Sequence, residues 1–224
     1  MTFSISARCP DTGMFGIAVS SSSPCVAARC AHARAGVGAV ATQNITDPRL
    51  GPKGLDLMAS GLSAQDALEA LKLDAPHLEY RQLALVDAQG RTASFSGANT
   101  LGTHRVATGP GVIAAGNLLS NPGVPEVMVT AFTAGSGSLG DRLLAAMRAA
   151  EEAGGEEGPV HSVGMILVRD VAWPVADLRV DWADEDPIAK ITALWQHWKG
   201  EMEAYVSRAL NPSQAPSYGV PGDM

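Results

Sequence analysis

The chain predicts an α+β fold, a four-layer αββα sandwich of two mostly antiparallel sheets with helices outside. Three observations carry this reading. Period-two strand segments come in pairs joined by tight turns, which pairs neighbours antiparallel. The pairs come in blocks, with blocks of helix between them, and lack the regular strand–helix alternation of a parallel sheet. The 224 residues include 24 glycines, with many alanines, which suits closely packed layers.

The first strand is Met1-Thr2-Phe3-Ser4-Ile5-Ser6-Ala7-Arg8, where Phe3, Ile5 and Ala7 alternate with polar neighbours. Pro10-Asp11-Thr12-Gly13 turns the chain and residues 14–19 resume a strand that runs into Ser20-Ser21-Ser22-Ser23. A hairpin centred near Asp11 and Thr12 sets Thr2 opposite roughly Ser21 to Ser23. Residues 26–33 read as a short Ala-rich helical turn, and residues 36–43 as a small-residue strand suited to burial. Residues 44–54 read as a loop, 55–60 as a helix stopped by Gly61, and Ser63 as the N-cap of a helix with Asp66 three residues on. Strands follow at 81–86 and 91–95, around Asp87-Ala-Gln-Gly90, and at 106–108 and 112–115, with Gly116-Asn117 closing the last. Helices follow at 124–134 and 139–153, the second ended by Gly154 and Gly155. After strands at 161–168 and 175–180, Asp186-Pro187 opens the final helix, Asp as N-cap and Pro at the first helical position. Ile188, Ile191, Leu194, Trp195, Trp198, Met202 and Tyr205 make its apolar stripe. Residues 1–210 therefore read as one domain and 211–224 as an irregular, proline-containing tail.

Composition narrows the function classes. Hydrophobic residues at 46% and charged residues at 17% describe an ordinary globule, and a net charge of −7 argues against a nucleic-acid partner. No apolar run is long enough for a membrane span and no signal-peptide pattern opens the chain, so a cytoplasmic protein is expected. Cys9, Cys25 and Cys30 are odd in number and form no C-x-x-C pair, which suits free thiols in a reducing compartment. Gly36, Gly38 and Ala41, and again Gly135, Gly137 and Gly140, match a dinucleotide-binding spacing. Neither match lies in a strand-to-helix turn, so both read as packing and turn residues.

The chemistry centres on Thr2. With Met1 removed, Thr2 carries a hydroxyl and a free α-amine on one residue. An α-amine titrates near ~7.7–8.0, so it can take the hydroxyl proton at neutral pH. A retained Met1 blocks that amine.

Several stretches together resemble a known family. They are Thr-Phe-Ser-Ile-Ser-Ala-Arg at 2–8, Asp-Thr-Gly-Met-Phe-Gly-Ile-Ala-Val at 11–19 and Ala-Gly-Val-Gly-Ala-Val-Ala-Thr-Gln at 35–43. Arg-Gln-Leu-Ala-Leu-Val-Asp at 81–87, Gly-Asn at 116–117, Ala-Gly-Gly at 153–155 and Leu-Arg-Val-Asp at 178–181 complete them. Over roughly residues 2–200 the chain resembles the domain-of-unknown-function family 1028, itself similar to N-terminal-nucleophile hydrolases. The resemblance implies the αββα fold and a Thr at the processed N-terminus, and names no substrate. One stretch departs from it: where the family shows a pattern like Asp-x-Arg-Gly-x-Gln-Ser after the double glycine, this chain has Glu156-Glu-Gly-Pro-Val-His-Ser162. A basic substrate contact from that loop is therefore not expected.

The expected site takes Thr2 as nucleophile, with Gln43 and Asn117 at strand ends as amides suited to an oxyanion. Ser21, Ser22, Asn44 and His161 are expected to contact substrate. Each amide is equally suited to capping a loop. No histidine shows metal-ligand spacing, and neither metal nor cofactor is expected. The leading expectation is an enzyme that hydrolyses a small amide or related C–N bond. The alternative is a small-molecule binding protein on the same fold that cleaves nothing. The long apolar stripe of the last helix and the tail beyond it predict a homodimer or higher homo-oligomer.

Overall fold

The computed structural model describes residues 1–220. Its first sheet contains β1 (Thr2–Arg8), β2 (Phe15–Ser21), β7 (Arg105–Gly109), β8 (Val112–Asn117), β9 (Ser162–Val168) and β10 (Ala176–Val180). Their spatial order is β10-β9-β2-β1-β8-β7. The second sheet contains β3 (Ala31–Arg34), β4 (Gly38–Asn44), β5 (Arg81–Asp87) and β6 (Thr92–Ser96), in chain order. Every pairing in both sheets is antiparallel.

The alternation read from the sequence sorts these strands into layers. Phe3, Ile5 and Ala7 point outward from the first sheet and pack with Leu143, Met147, Met128 and Trp195. Those residues come from α4 (Val124–Ala134), α5 (Leu139–Glu152) and α6 (Pro187–Leu210). Phe15, Ile17, Val19 and Ile113 point the other way and meet Ala39, Ala41, Ala84 and Val86 of the second sheet. Val40, Leu83 and Leu85 on the far face of that sheet pack with Leu55, Leu68 and Leu71, from α2 (Leu50–Ala59) and α3 (Ala64–Asp74). The result is helix, sheet, sheet, helix: the αββα sandwich. Each fully buried large apolar side chain contributes about 1.5–3 kcal/mol to holding these layers together.

Local chemistry explains the boundaries. Ser63 accepts a hydrogen bond from the Asp66 N–H and starts α3. Ser138 and Asp141 close a reciprocal capping box on α5. Asp186 caps α6 by accepting from the Ala189 N–H at 2.7 Å.

Two expectations needed correction. Residues 26–33 divide into a single helical turn, α1 (Ala27–Cys30), and strand β3 at the sheet edge. The loop expected over 44–54 ends early, because α2 begins at Leu50 and runs through Gly51, Pro52 and Gly54. Close packing accounts for the second: a Cβ at Gly51 would lie 2.1 Å from the His32 ring. Tertiary contact there demands glycine at the cost of helix propensity.

Beyond α6 a short 3-10 turn spans Pro212–Gln214. Tyr218 then sits edge-on to Tyr205, with the Arg208 guanidinium 3.9 Å from its ring centre. Residues 221–224 of the expected irregular tail lie outside the described residues.

Candidate functional site

Antiparallel register assembles the site before any side chain is considered. Thr2 pairs with Asn117 of β8. On its other side the β1–β2 register, in which Phe3 faces Ser20, brings Ser21 beside Thr2. Ser21 in turn pairs with Ser162 of β9. Residues directly opposite in a sheet share a face, and this row shares the face of Ser4 and Val19, toward the second sheet. Ser162, Ser21, Thr2 and Asn117 thus form a polar row across four strands at one end of the inter-sheet layer. All four are buried.

Hydrogen bonds show what the row is arranged around. Thr2 Oγ1 and Ser21 Oγ both donate to the carbonyl oxygen of Met1, the latter at 2.5 Å. Ser21 is itself backed by a relay. Its Oγ accepts from the Ser23 N–H at 3.1 Å and lies 2.8 Å from Ser23 Oγ. Ser23 Oγ accepts from the Arg29 guanidinium at 2.5 Å. Because the one Ser21 proton goes to Met1, the Ser23 hydroxyl donates to Ser21, and every dipole in the chain points the same way. Ser162 braces this loop: its Oγ donates to the Ser23 carbonyl at 2.6 Å and accepts from the Val26 N–H.

A second network underlies Asn117. Gln82 Oε1 accepts from Asn117 Nδ2 at 3.1 Å and from Gln43 Nε2 at 2.8 Å. Gln82 Nε2 donates to the Gly116 carbonyl of β8 and to Ser96 Oγ. Gln43 Oε1 accepts from Ser4 Oγ at 2.7 Å. Gln82 thereby ties the two sheets together at Asn117, the sheet partner of Thr2. Asn117 Oδ1 is buried and has no hydrogen-bond partner among the described residues.

The remaining expected residues divide. Ser22 is half-buried beside this row. His161 reaches it through its backbone, donating its N–H to the Ser21 carbonyl at 2.9 Å. Its ring is held by Nδ1–H donation to the Ala183 carbonyl and stacks on Trp182 at 4.3 Å. Asn44 bridges two loops: Nδ2 donates to the Tyr80 carbonyl and Oδ1 accepts from the Leu101 N–H. Gln43 makes no direct hydrogen bond to Thr2 among the described residues and is linked to it through Ser4 and Gln82.

Arg29, Gln82, Ser162 and Glu156 are neighbours of the site that were not expected from the sequence; Ser23, expected opposite Thr2, stands behind Ser21 instead. Glu156 is buried and, among the described residues, neither carboxylate oxygen has a hydrogen-bond partner. Burial pushes its carboxyl up to about 8. The Met1 α-ammonium pulls the other way, as does the Ser22 backbone N–H, which lies close without reaching hydrogen-bond geometry. Cys30, also within reach of that ammonium, is pushed up to about 11 by burial and stays a thiol at neutral pH. Among the described residues no group of three or more His, Cys, Asp or Glu is arranged to hold a metal ion, and no helix is long and apolar enough to cross a membrane. An open groove of about 560 Å³ lies elsewhere, between α5 and α6, lined by Leu144, Arg148, Thr192 and Trp195. It is on the outer helix layer, and none of the polar row faces it.

The model of the family of unknown function DUF1028 matches residues 2–191. The chain belongs to the DUF1028 family. A solved DUF1028 structure from Silicibacter pomeroyi is 31% identical, with a TM-score of 0.82 and 88% of each chain covered. Two Anbu (ancestral beta-subunit) structures are more distant. The one from Yersinia bercovieri is 11% identical with a TM-score of 0.39, covering 91% of this chain and 97% of that one. A Gly-1 mutant from a Hyphomicrobium strain is 11% identical with a TM-score of 0.41, covering 92% and 97%. Likeness at that level fixes no activity. Among curated proteins none matches the chain. The DUF1028 match begins at Thr2, the residue on which the polar row is centred.

Proposed function

We propose that this chain is an N-terminal-nucleophile hydrolase of a small amide or related C–N bond. Thr2, freed of the residue before it, is the nucleophile and its own α-amine is the base. The observation that carries this is the convergence of Thr2 Oγ1 and Ser21 Oγ on one carbonyl oxygen. The Met1 carbonyl stands where a substrate carbonyl would sit.

In the proposed reaction the Thr2 α-amine takes the hydroxyl proton as Oγ1 bonds to the substrate carbonyl carbon. The developing oxyanion is met by the Ser21 hydroxyl, polarised by Ser23 and Arg29. Collapse breaks the C–N bond, the amine returns the proton to the leaving nitrogen, and an ester remains on Thr2. Water attacks that ester with the same amine as base, releasing the acid. Asn117 flanks Thr2. Gln82 and Gln43 hold Asn117 and Ser4 in place, a positioning role.

The test uses the chain prepared to start at Thr2 and its Thr2→Ala counterpart. Turnover is read as ammonia release from neutral and amine-bearing primary carboxamides. The expected result is turnover by the first and loss of at least about 10³-fold in the second, with ligand binding kept. Equal turnover by Thr2→Ala, or full retention of Met1 in active protein isolated from cells, overturns the reading. Binding without turnover in the form starting at Thr2 supports the alternative of a non-catalytic small-molecule binding protein, which the seated Met1 favours.

A further inference from the structure

The residue before Thr2 is contacted at two points and lies within reach of a charge at a third, and together they describe a ligand. Its carbonyl oxygen takes the two hydroxyl donors of Thr2 and Ser21. Its thioether lies over Gly158, where a Cβ would come within 3.2 Å of Met1 Cε and 3.5 Å of Sδ. Its α-ammonium lies within electrostatic reach of Glu156. The three points are the carbonyl, side chain and amine of an aminoacyl group.

Glu156 is the unusual member. It is 4% exposed, and both its oxygens lack a hydrogen-bond partner among the described residues. A buried carboxylate without partners is costly, and a nearby opposite charge is the means of ionising it. Its position is firmly set. Gly154 and Gly155 turn the chain with φ of +110° and +56°, angles a side chain seldom tolerates. Ser120 donates its N–H to the Gly155 carbonyl and Glu157 donates its N–H to the Leu118 carbonyl. Glu156 itself bridges to Leu119. The loop is thus fastened to the three residues that follow Asn117, the direct neighbour of Thr2 in the sheet.

We propose that Glu156 is the ammonium acceptor of the site, and that the substrate is an aminoacyl amide, its free α-ammonium set against Glu156 and its side chain over Gly158. This rests on the Thr2 reading for the chemistry, and on the Met1 contacts for the recognition. The acidic loop 156–158 and the absence of a basic residue within it suit a cationic ligand.

Binding is the test, so that it does not depend on turnover. The Thr2→Ala chain, starting at residue 2, is titrated calorimetrically with methionine amide and with N-acetyl-methionine amide. The pH is about 7.5, where the α-amine range of about 7.7–8.0 keeps the ammonium largely present and Glu156, held up to about 8 by burial, gives up its proton as the ammonium binds. Methionine amide is expected to bind at least about tenfold more tightly, a difference of about 1.4 kcal/mol, and Glu156→Gln is expected to bring the ratio near one. Glu156→Asp, with a carboxylate one methylene shorter, is expected to keep part of the preference and guards against a misfolded Gln variant. Equal affinities in the chain with Glu156 intact, an unchanged ratio in Glu156→Gln, or no binding of either amide overturns the proposal. An ammonium preference in a chain whose Thr2 proves non-nucleophilic would leave recognition standing without hydrolysis. Turnover of neutral amides with no such preference would leave Thr2 standing and sink the substrate class.

Discussion

Ser23 Oγ lies 2.8 Å from Ser21 Oγ, behind the hydroxyl that meets the Met1 carbonyl. Ser23 itself accepts from Arg29, so the charge of an arginine is delivered to the site through two hydroxyls. Removing one oxyanion donor costs about 10²–10³-fold in kcat where such donors have been deleted. Ser21→Ala is expected to fall in that range with KM little changed, and Ser23→Ala or Arg29→Met to lose less. Steady-state kinetics of the form starting at Thr2 checks this; a loss confined to KM would move Ser21 from the oxyanion to ground-state binding.

Arg29 stands on α1, a single helical turn wedged against β9. A Cβ added at Gly164 would lie 2.3 Å from Ala27 Cβ. Overpacking of this kind costs about 1–3 kcal/mol. Gly164→Ala is expected to lower the urea midpoint by a corresponding amount, and to reduce kcat as well, since the turn that moves carries the relay. An unchanged midpoint would show that α1 yields freely.

Glu156 gives a signed pH dependence. Its carboxyl is held above the ordinary 4.5, up to about 8, by burial. The folded chain keeps a proton that the unfolded chain gives up. Stability from this group is fully present below about 4.5 and is lost as pH rises through about 8. Glu156→Gln is therefore expected to flatten the decline in urea midpoint between about pH 5 and pH 8.5, each pH unit of that window being worth about 1.4 kcal/mol at most. Parallel declines in the two proteins would contradict it.

Asp141 runs the opposite way. Burial opposes its ionisation, but bonds from Lys199, Ser138 and Trp195 outweigh it and hold the carboxyl below its ordinary value. Its contribution is present above the unfolded value, near 3.8, and is lost as pH falls below that. Asp141→Asn is expected to destabilise by about 1–3 kcal/mol at neutral pH, through the cap and the charged bonds. Its melting temperature should converge with that of the unaltered chain as the solution is acidified. A gap that stays constant down to strong acid would put the effect in packing alone.

The apolar stripe of α6 is mostly used within the chain: Trp195 is buried and Trp198 Nε1 donates to the Val175 carbonyl. Leu194, Tyr205 and Leu210 remain exposed. A homodimer through that remainder is expected, with light scattering as the measurement; a monomer mass at working concentration rules it out.

The sequence announced the elements whose signals are local. Asp186-Pro187 marked the start of α6, and the Pro10–Gly13 turn set the register that places Ser21 beside Thr2. What it concealed depends on distant partners. Strand β3 has four residues and is defined by pairing with β4. The start of α2 is hidden because Gly51 and Gly54 answer to His32 and Val40 across a layer boundary. The site follows the same rule. Thr2, Ser21 and Asn117 fall out of strand register. Gln82 is linked to residues 34 to 39 positions away, and Glu156 comes within electrostatic reach of the Met1 ammonium only through folding of the whole chain. Nothing within their own stretches distinguishes either from a polar strand residue or a surface acid.

The six-stranded sheet seats β1 between β2 and β8, and this sets a timetable. Its β2 edge is closed by a hairpin as soon as that turn is made. The other edge waits for Asn117 and its neighbours, more than a hundred residues later in synthesis. Glu156 and Gly158 arrive later still. At about 5–20 residues per second, the Met1–Thr2 bond stays uncovered for on the order of ten seconds before β8 and the acidic loop close around it. The removal of Met1 that the proposed mechanism requires would thus be favoured while the chain is being made. On the proposed mechanism, a chain that finished folding first would keep Met1 on the Thr2 amine, and the proportion of working molecules would be decided during translation.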